Sequence, residues 1–212
     1  MELTKDKVSA NLDRLPVNYK TGDVDRLIRD YVRQKMDPAP LRDHILADQR
    51  LHRVYFFVAL KQIPKVADRM AFIHENLLFS DWWHTDQLLG FVMDLPLEEA
   101  LAYARGYVGS DDPFIRRWGY VLFISKLGRG HAEELLPLCH EDDHYTVQMA
   151  QGWLISELAV FQPDVVFSWL KENGLSYRIN GKAIQKICDS YRISREWKER
   201  FKGLRPSLNL IK

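Results

Sequence analysis

Two tryptophans, a histidine and a carboxylate stand together in Trp82-Trp83-His84-Thr85-Asp86, just after Ser80-Asp81. An indole ring is a large apolar plate whose π face attracts positive charge, and a carboxylate stabilises a developing cation or takes a proton from water. Trp82 and Asp86 are four residues apart, so a helix would put them on one face. Trp153, in Gln148-Met149-Ala150-Gln151-Gly152-Trp153, offers a further plate on another apolar helix, and the Arg116-Arg117 pair lies on the helix between. Guanidiniums fix phosphates through charge-assisted hydrogen bonds. Aromatic plates, one acid and nearby guanidiniums on successive helices form a surface for handling a nucleic acid and the sugar of one nucleotide. Taken singly, each has a plainer reading: tryptophans fill helical cores, and an aspartate decorates an exposed helix face. The combination points beyond packing.

The elements that must position these residues are helices. Val24, Leu27, Ile28, Tyr31 and Val32 follow the spacing of an amphipathic helix. Leu51, Val54, Tyr55, Val58 and Ala59 predict another over 51–60, stopped or kinked by Pro64. Pro96, Pro113 and Pro163 fall where helices could begin, and Gly109, Gly128, Gly130 and Gly174 fall near predicted ends. Strand signals are nearly missing, so the chain reads as helices of about 10 to 17 residues joined by short turns. Helices starting near Asp81, Asp112 and Thr146 are spaced 31 and 34 residues apart, with shorter ones over 97–108 and 131–139 between them. Helix pairs recurring at that period predict an all-α, HEAT-like α-solenoid with a concave face, on which Trp82, Asp86, Arg116, Arg117 and Trp153 belong to one set of helices. A plain helical bundle is the alternative, because the repeats are poorly alike in sequence.

A chain of 212 residues with 46% hydrophobic content can bury a large core, and a single domain over 1–212 is expected. The longest uncharged apolar run is far shorter than a membrane span, and the first residues lack a signal peptide's apolar stretch, so a soluble cytoplasmic monomer is expected. Net charge is +1, with 30 basic residues against 29 acidic. The whole-molecule field therefore does not announce a polyanion partner, and a local basic stripe must do so. The segment from Arg178 to Lys212 is strongly basic. Cys139 and Cys188 are in no paired motif, so neither a disulfide framework nor a zinc site is signalled. His140 and His144 flank an acidic run that reads as a turn, with no third ligand placed, so no metal is expected. No nucleophile elbow, phosphate-binding glycine loop or dinucleotide fingerprint is present.

Four segments, in order and approximate spacing, resemble the AlkD-like DNA alkylation-repair proteins. They are Trp82-Trp83-His84-Thr85-Asp86, Asp112-Pro113-Phe114-Ile115-Arg116-Arg117-Trp118, Met149-Ala150-Gln151-Gly152-Trp153-Leu154 with Pro163-Asp164-Val165-Val166 after it, and Gly181-Lys182-Ala183-Ile184-Gln185-Lys186. The resemblance is best over 71–193; helices in 1–70 are less family-like, and 194–212 is a basic C-terminal segment. It implies a HEAT-like domain that holds duplex DNA and hydrolyses the N-glycosidic bond of cationic alkylated purines of the 3-methyladenine and 7-methylguanine type, without a cofactor. By the same resemblance the catalytic carboxylate falls on Asp86, with Trp82 as its partner or Trp83 if the helix register differs by one. The second plate falls on Trp153, and DNA contacts fall on Arg116, Arg117, Lys182 and Lys186. One departure is Ser156, which stands three residues after Trp153 where the family often has arginine. That leaves two rivals, a DNA-binding relative without excision and a protein-interaction solenoid.

Overall fold

The structure, a computed structural model, describes residues 1–205; the end of the basic C-terminal segment, Lys212 included, lies outside the described residues. The chain forms two compact units, Met1–Val92 and Met93 onward. Among the described residues regular structure is entirely helical, apart from one isolated bridge between Glu2 and Asp37. No helix among them is long and apolar enough to cross a membrane.

The first unit contains α1 (Lys5–Asp13), α2 (Thr21–Arg33), α3 (Gln49–Gln62), α4 (Val66–Glu75) and α5 (Trp82–Asp86). The stripe predicted around residue 28 is real: Val24, Ile28 and Tyr31 are the buried face of α2, which packs on α3. Burial of α3 runs almost continuously from Leu51 to Leu60, as expected of a helix surrounded by others. It ends at Gln62, just ahead of Pro64.

The second unit contains α6 (Leu97–Val108), α7 (Pro113–Val121), α8 (Ala132–Leu135), α9 (Tyr145–Phe161), α10 (Pro163–Glu172), α11 (Tyr177–Asp189) and α12 (Arg195–Lys202). Its packing runs from neighbour to neighbour: α6 on α7, α7 on α9, α9 on α11 and α11 on α12, with α10 also against α9. Successive helices that bury one another's apolar faces in this way are the arrangement of an α-solenoid. The proline signals hold, since Pro113 and Pro163 occupy first helical turns and Pro96 precedes α6.

Helix lengths differ from expectation at two places. The helix at Asp81 is only five residues long and passes through Gln87 and Leu88 into a 3-10 turn at Leu89–Phe91, which contains Gly90. The helix expected over 131–139 is four residues of α8 followed by a 3-10 turn at Leu136–Leu138. Glycine weakens a continuing helix and Pro137 cannot donate the next backbone hydrogen bond, so each helix tightens and stops.

Candidate functional site

The first unit carries the acid and two of the three aromatic plates. Asp81 caps α5, its carboxylate accepting the Trp82 N–H at 2.6 Å, and so fixes the turn that holds the following four residues. Trp82 is 56% exposed, unusual for a tryptophan and costly unless the ring is used. Asp86, one turn later, is half-buried. Thr85 Oγ1 lies 2.8 Å from Trp82 O and 3.1 Å from Asp86 Oδ1, so its single proton is shared between the backbone and the carboxylate. Trp83 points elsewhere. Its ring lies edge-on to His84 at 4.2 Å and to His52 at 5.8 Å, and part of it lines an open pocket of about 350 Å³ with Tyr19, Val24, Arg50 and Arg53.

Beneath Trp83 is a feature that sequence spacing did not signal. His52 of α3 and His84 of α5 are fully buried and stack face to face, with centroids 3.7 Å apart and planes within 6°. His84 Nδ1 accepts the Ser80 N–H at 3.1 Å, which puts the proton of the neutral ring on Nε2. His52 Nδ1 lies 2.7 Å from Gln87 Nε2, and Gln87 Oε1 accepts from Arg53 Nη1 at 3.1 Å. Arg53 is fixed in turn by a bidentate pair with Asp25 and by the Phe57 ring, 3.9 Å from its guanidinium carbon. Burial drives both imidazoles toward the neutral form. The His52 pKa falls to about 2, helped by the neighbouring His84, and that of His84 falls to about 4 despite an opposing pull from Asp81. Two uncharged stacked rings thus support α5. One lies in an apolar helix and the other in the tryptophan run, and only the fold brings residue 52 to residue 84.

In the second unit the arginine pair takes a different role from the one expected. Arg116 makes a two-point pair with buried Asp142, at 2.7 and 3.3 Å, and its Nη1 donates to Ser110 O and Asp111 O at 2.9 and 3.0 Å. Arg117 is buried at 4% exposure, with Nη1 donating to Thr146 O in the first turn of α9 at 2.9 Å. Expected as phosphate contacts, both guanidiniums instead tie α7 to the segment that leads into α9. Their donors find fixed protein acceptors there, and the charge-assisted bonds offset the rotamer freedom lost on burial.

The Trp153, Lys182 and Lys186 expectation does converge in space. Trp153 is half-buried on α9, and Lys186 Nζ of α11 stands 5.7 Å from its ring centroid. One turn earlier on α11, Lys182 Nζ stands 5.1 Å over the exposed ring of Tyr145. This close approach depends on Gly152, where a Cβ would lie 3.0 Å from Lys182 Cβ and 3.1 Å from Ala183 N. Ser156 is buried on the same helix. Among the described residues no group of three histidine, cysteine, aspartate or glutamate side chains is placed to hold a metal ion.

All-helical structure with solenoid packing among the described residues defines a helical-repeat class of protein; its first unit carries an exposed tryptophan one turn from a carboxylate, and its second a tryptophan with one ammonium group near its ring. A family model described as DNA alkylation repair enzyme matches residues 17–187, and the chain belongs to that family. The matched span crosses both compact units and begins well ahead of residue 71. Comparison with curated proteins and with solved structures returns no match.

Proposed function

We propose that the protein binds duplex DNA and hydrolyses the N-glycosidic bond of cationic alkylated purines, with Asp86 as the catalytic carboxylate and no cofactor. Among the observations on this chain, the one that carries most weight is Trp82, held in solvent by a capped helix one turn from Asp86 in a chain of the DNA alkylation repair family. An alkylated purine already carries positive charge and leaves readily, so no acid is needed to protonate it. The work left is to stabilise the oxocarbenium-like sugar and to orient water. A carboxylate does the first by charge and the second as a base, while Trp82 in the first unit and Trp153 in the second each offer an indole face to the bound DNA. Lys182 and Lys186 supply phosphate contacts. Arg116 and Arg117 act by positioning, holding the start of α9 against α7.

The test is release of 7-methylguanine from methylated duplex DNA by the purified chain. Release above the uncatalysed rate supports the reading, and tight duplex binding without release would leave a DNA-binding relative. Buried Ser156, which stands where the resembled proteins often have an arginine, is the observation that favours that second reading.

A further inference from the structure

Gly181 sits in the middle of α11 in ordinary helical conformation, where glycine is a poor choice. Its reason is the Tyr177 ring. A Cβ on residue 181 would lie 3.0, 3.1 and 3.3 Å from three atoms of that ring, so any side chain would push the tyrosine away. With glycine there, the ring walls a pocket of about 370 Å³ lined by Tyr177, Arg178, Gly181, Lys182, Gln185 and Arg205. Three of these six are cations and none is acidic. Arg178 pairs with Asp143 at 3.8 Å, but both side chains are widely solvated and such a pair is weak. Gln185 Oε1 accepts from Arg205 Nη2 at 3.0 Å and so aims the guanidinium. Arg205 Nε is buried and has no acceptor among the described residues. A buried donor without an acceptor carries a standing penalty that an anionic oxygen would remove.

We propose that this pocket seats one phosphate group, contributed by a phosphodiester of the bound DNA strand. The inference rests on the DNA-binding reading above for the source of the phosphate, while the pocket chemistry stands on its own. Fork-shaped guanidiniums from Arg178 and Arg205 match phosphate oxygens in pairs, and Lys182 adds a point charge. Lys182 also faces Tyr145, which places this seat beside the aromatic and cationic row of α9 and α11.

Duplex DNA binding is measured against salt for the wild type, Arg178→Ala and the Arg178→Ala/Arg205→Ala double variant, with inorganic phosphate as a second probe at constant ionic strength. Losing one phosphate seat should make the log-log salt slope shallower by about 0.9 in the double variant. Replacing chloride by phosphate should weaken DNA binding by the wild type more than by the double variant. The Arg178 side chain is 70% exposed, so Arg178→Ala keeps the fold and should show part of the change. Unchanged slope and unchanged phosphate response in well-folded variants would overturn the pocket. If the wild type ignored duplex DNA but was protected by phosphate against heat, and the double variant was not, the pocket would stand and the DNA source would fall. Indifference of the wild type to both probes would overturn the pocket as well.

Discussion

Arg116 and Trp82 illustrate opposite uses of a residue that sequence alone would place on a binding surface. Arg116 is spent on Asp142, which is 8% exposed and also accepts the His144 N–H. Arg116→Ala would leave that carboxylate buried with its cation gone, a change that costs about 3 kcal/mol for a buried pair. Urea unfolding should therefore register Arg116→Ala strongly, while any loss of DNA binding should follow from α9 losing its anchor. A variant as stable as the wild type would return Arg116 to the list of direct contacts. Trp82 makes the reverse case. Its ring is largely in water, so Trp82→Ala should leave stability within about 0.5 kcal/mol. It should slow base release roughly 2- to 30-fold, the worth of one cation–π plate. Equal release by Trp82→Ala and wild type would hand the plate to Trp83.

At the scale of elements, α9 against α11 is the contact that places Trp153 beside Lys186 and Tyr145 beside Lys182. Gly152→Ala would drive a methyl group into Lys182 Cβ and the Ala183 backbone, which a helix cannot yield without shifting. Overpacking of that kind costs about 1–3 kcal/mol, set against a gain of about 1 kcal/mol in helix propensity. Gly106 in α6 has nothing within 4 Å of its missing Cβ, so Gly106→Ala should gain stability by up to about 1 kcal/mol. Denaturant midpoints of the two variants should move in opposite directions, and a stabilising Gly152→Ala would mean the α9–α11 contact is looser than described. The same elements mark what the sequence could tell. Stripe periodicity and proline positions gave α2, α3, α6, α7 and α10 because they act within a single helix. The resemblance named Trp153, Lys182 and Lys186 as site residues, but not the approach of Lys186 to the Trp153 ring. The His52–His84 stack and the Arg117–Thr146 bond had no local signal, being made by residues about 30 apart whose contact depends on how helices pack. The short lengths of α5 and α8 were obscured for a different reason: apolar residues continue past both helices, into 3-10 turns at Leu89–Phe91 and Leu136–Leu138.

At the scale of the whole molecule, a net charge of +1 means that the proposed DNA binding rests on local cations. The His52–His84 stack gives the chain an acid weakness. Both pKa values are depressed on folding, so below about 6.5 the unfolded chain binds more protons and stability falls with falling pH. The loss grows toward about 1.4 kcal/mol per pH unit for each histidine, levelling for His84 as pH passes about 4 and for His52 only near pH 2. Unfolding followed between pH 7.5 and 5 should show this slope, and a His52→Leu/His84→Leu variant should flatten it; an equal slope in both proteins would place the acid weakness elsewhere. On the proposed reading, base excision turns on the charge of Asp86. Asp86→Asn keeps the shape of the side chain and removes its charge, so circular dichroism and DNA affinity should be retained. Single-turnover release of 7-methylguanine from methylated duplex should fall about 100- to 1,000-fold, corresponding to about 3–4 kcal/mol of lost electrostatic stabilisation. Release by Asp86→Asn at the wild-type rate would contradict the assignment of Asp86 as the catalytic carboxylate.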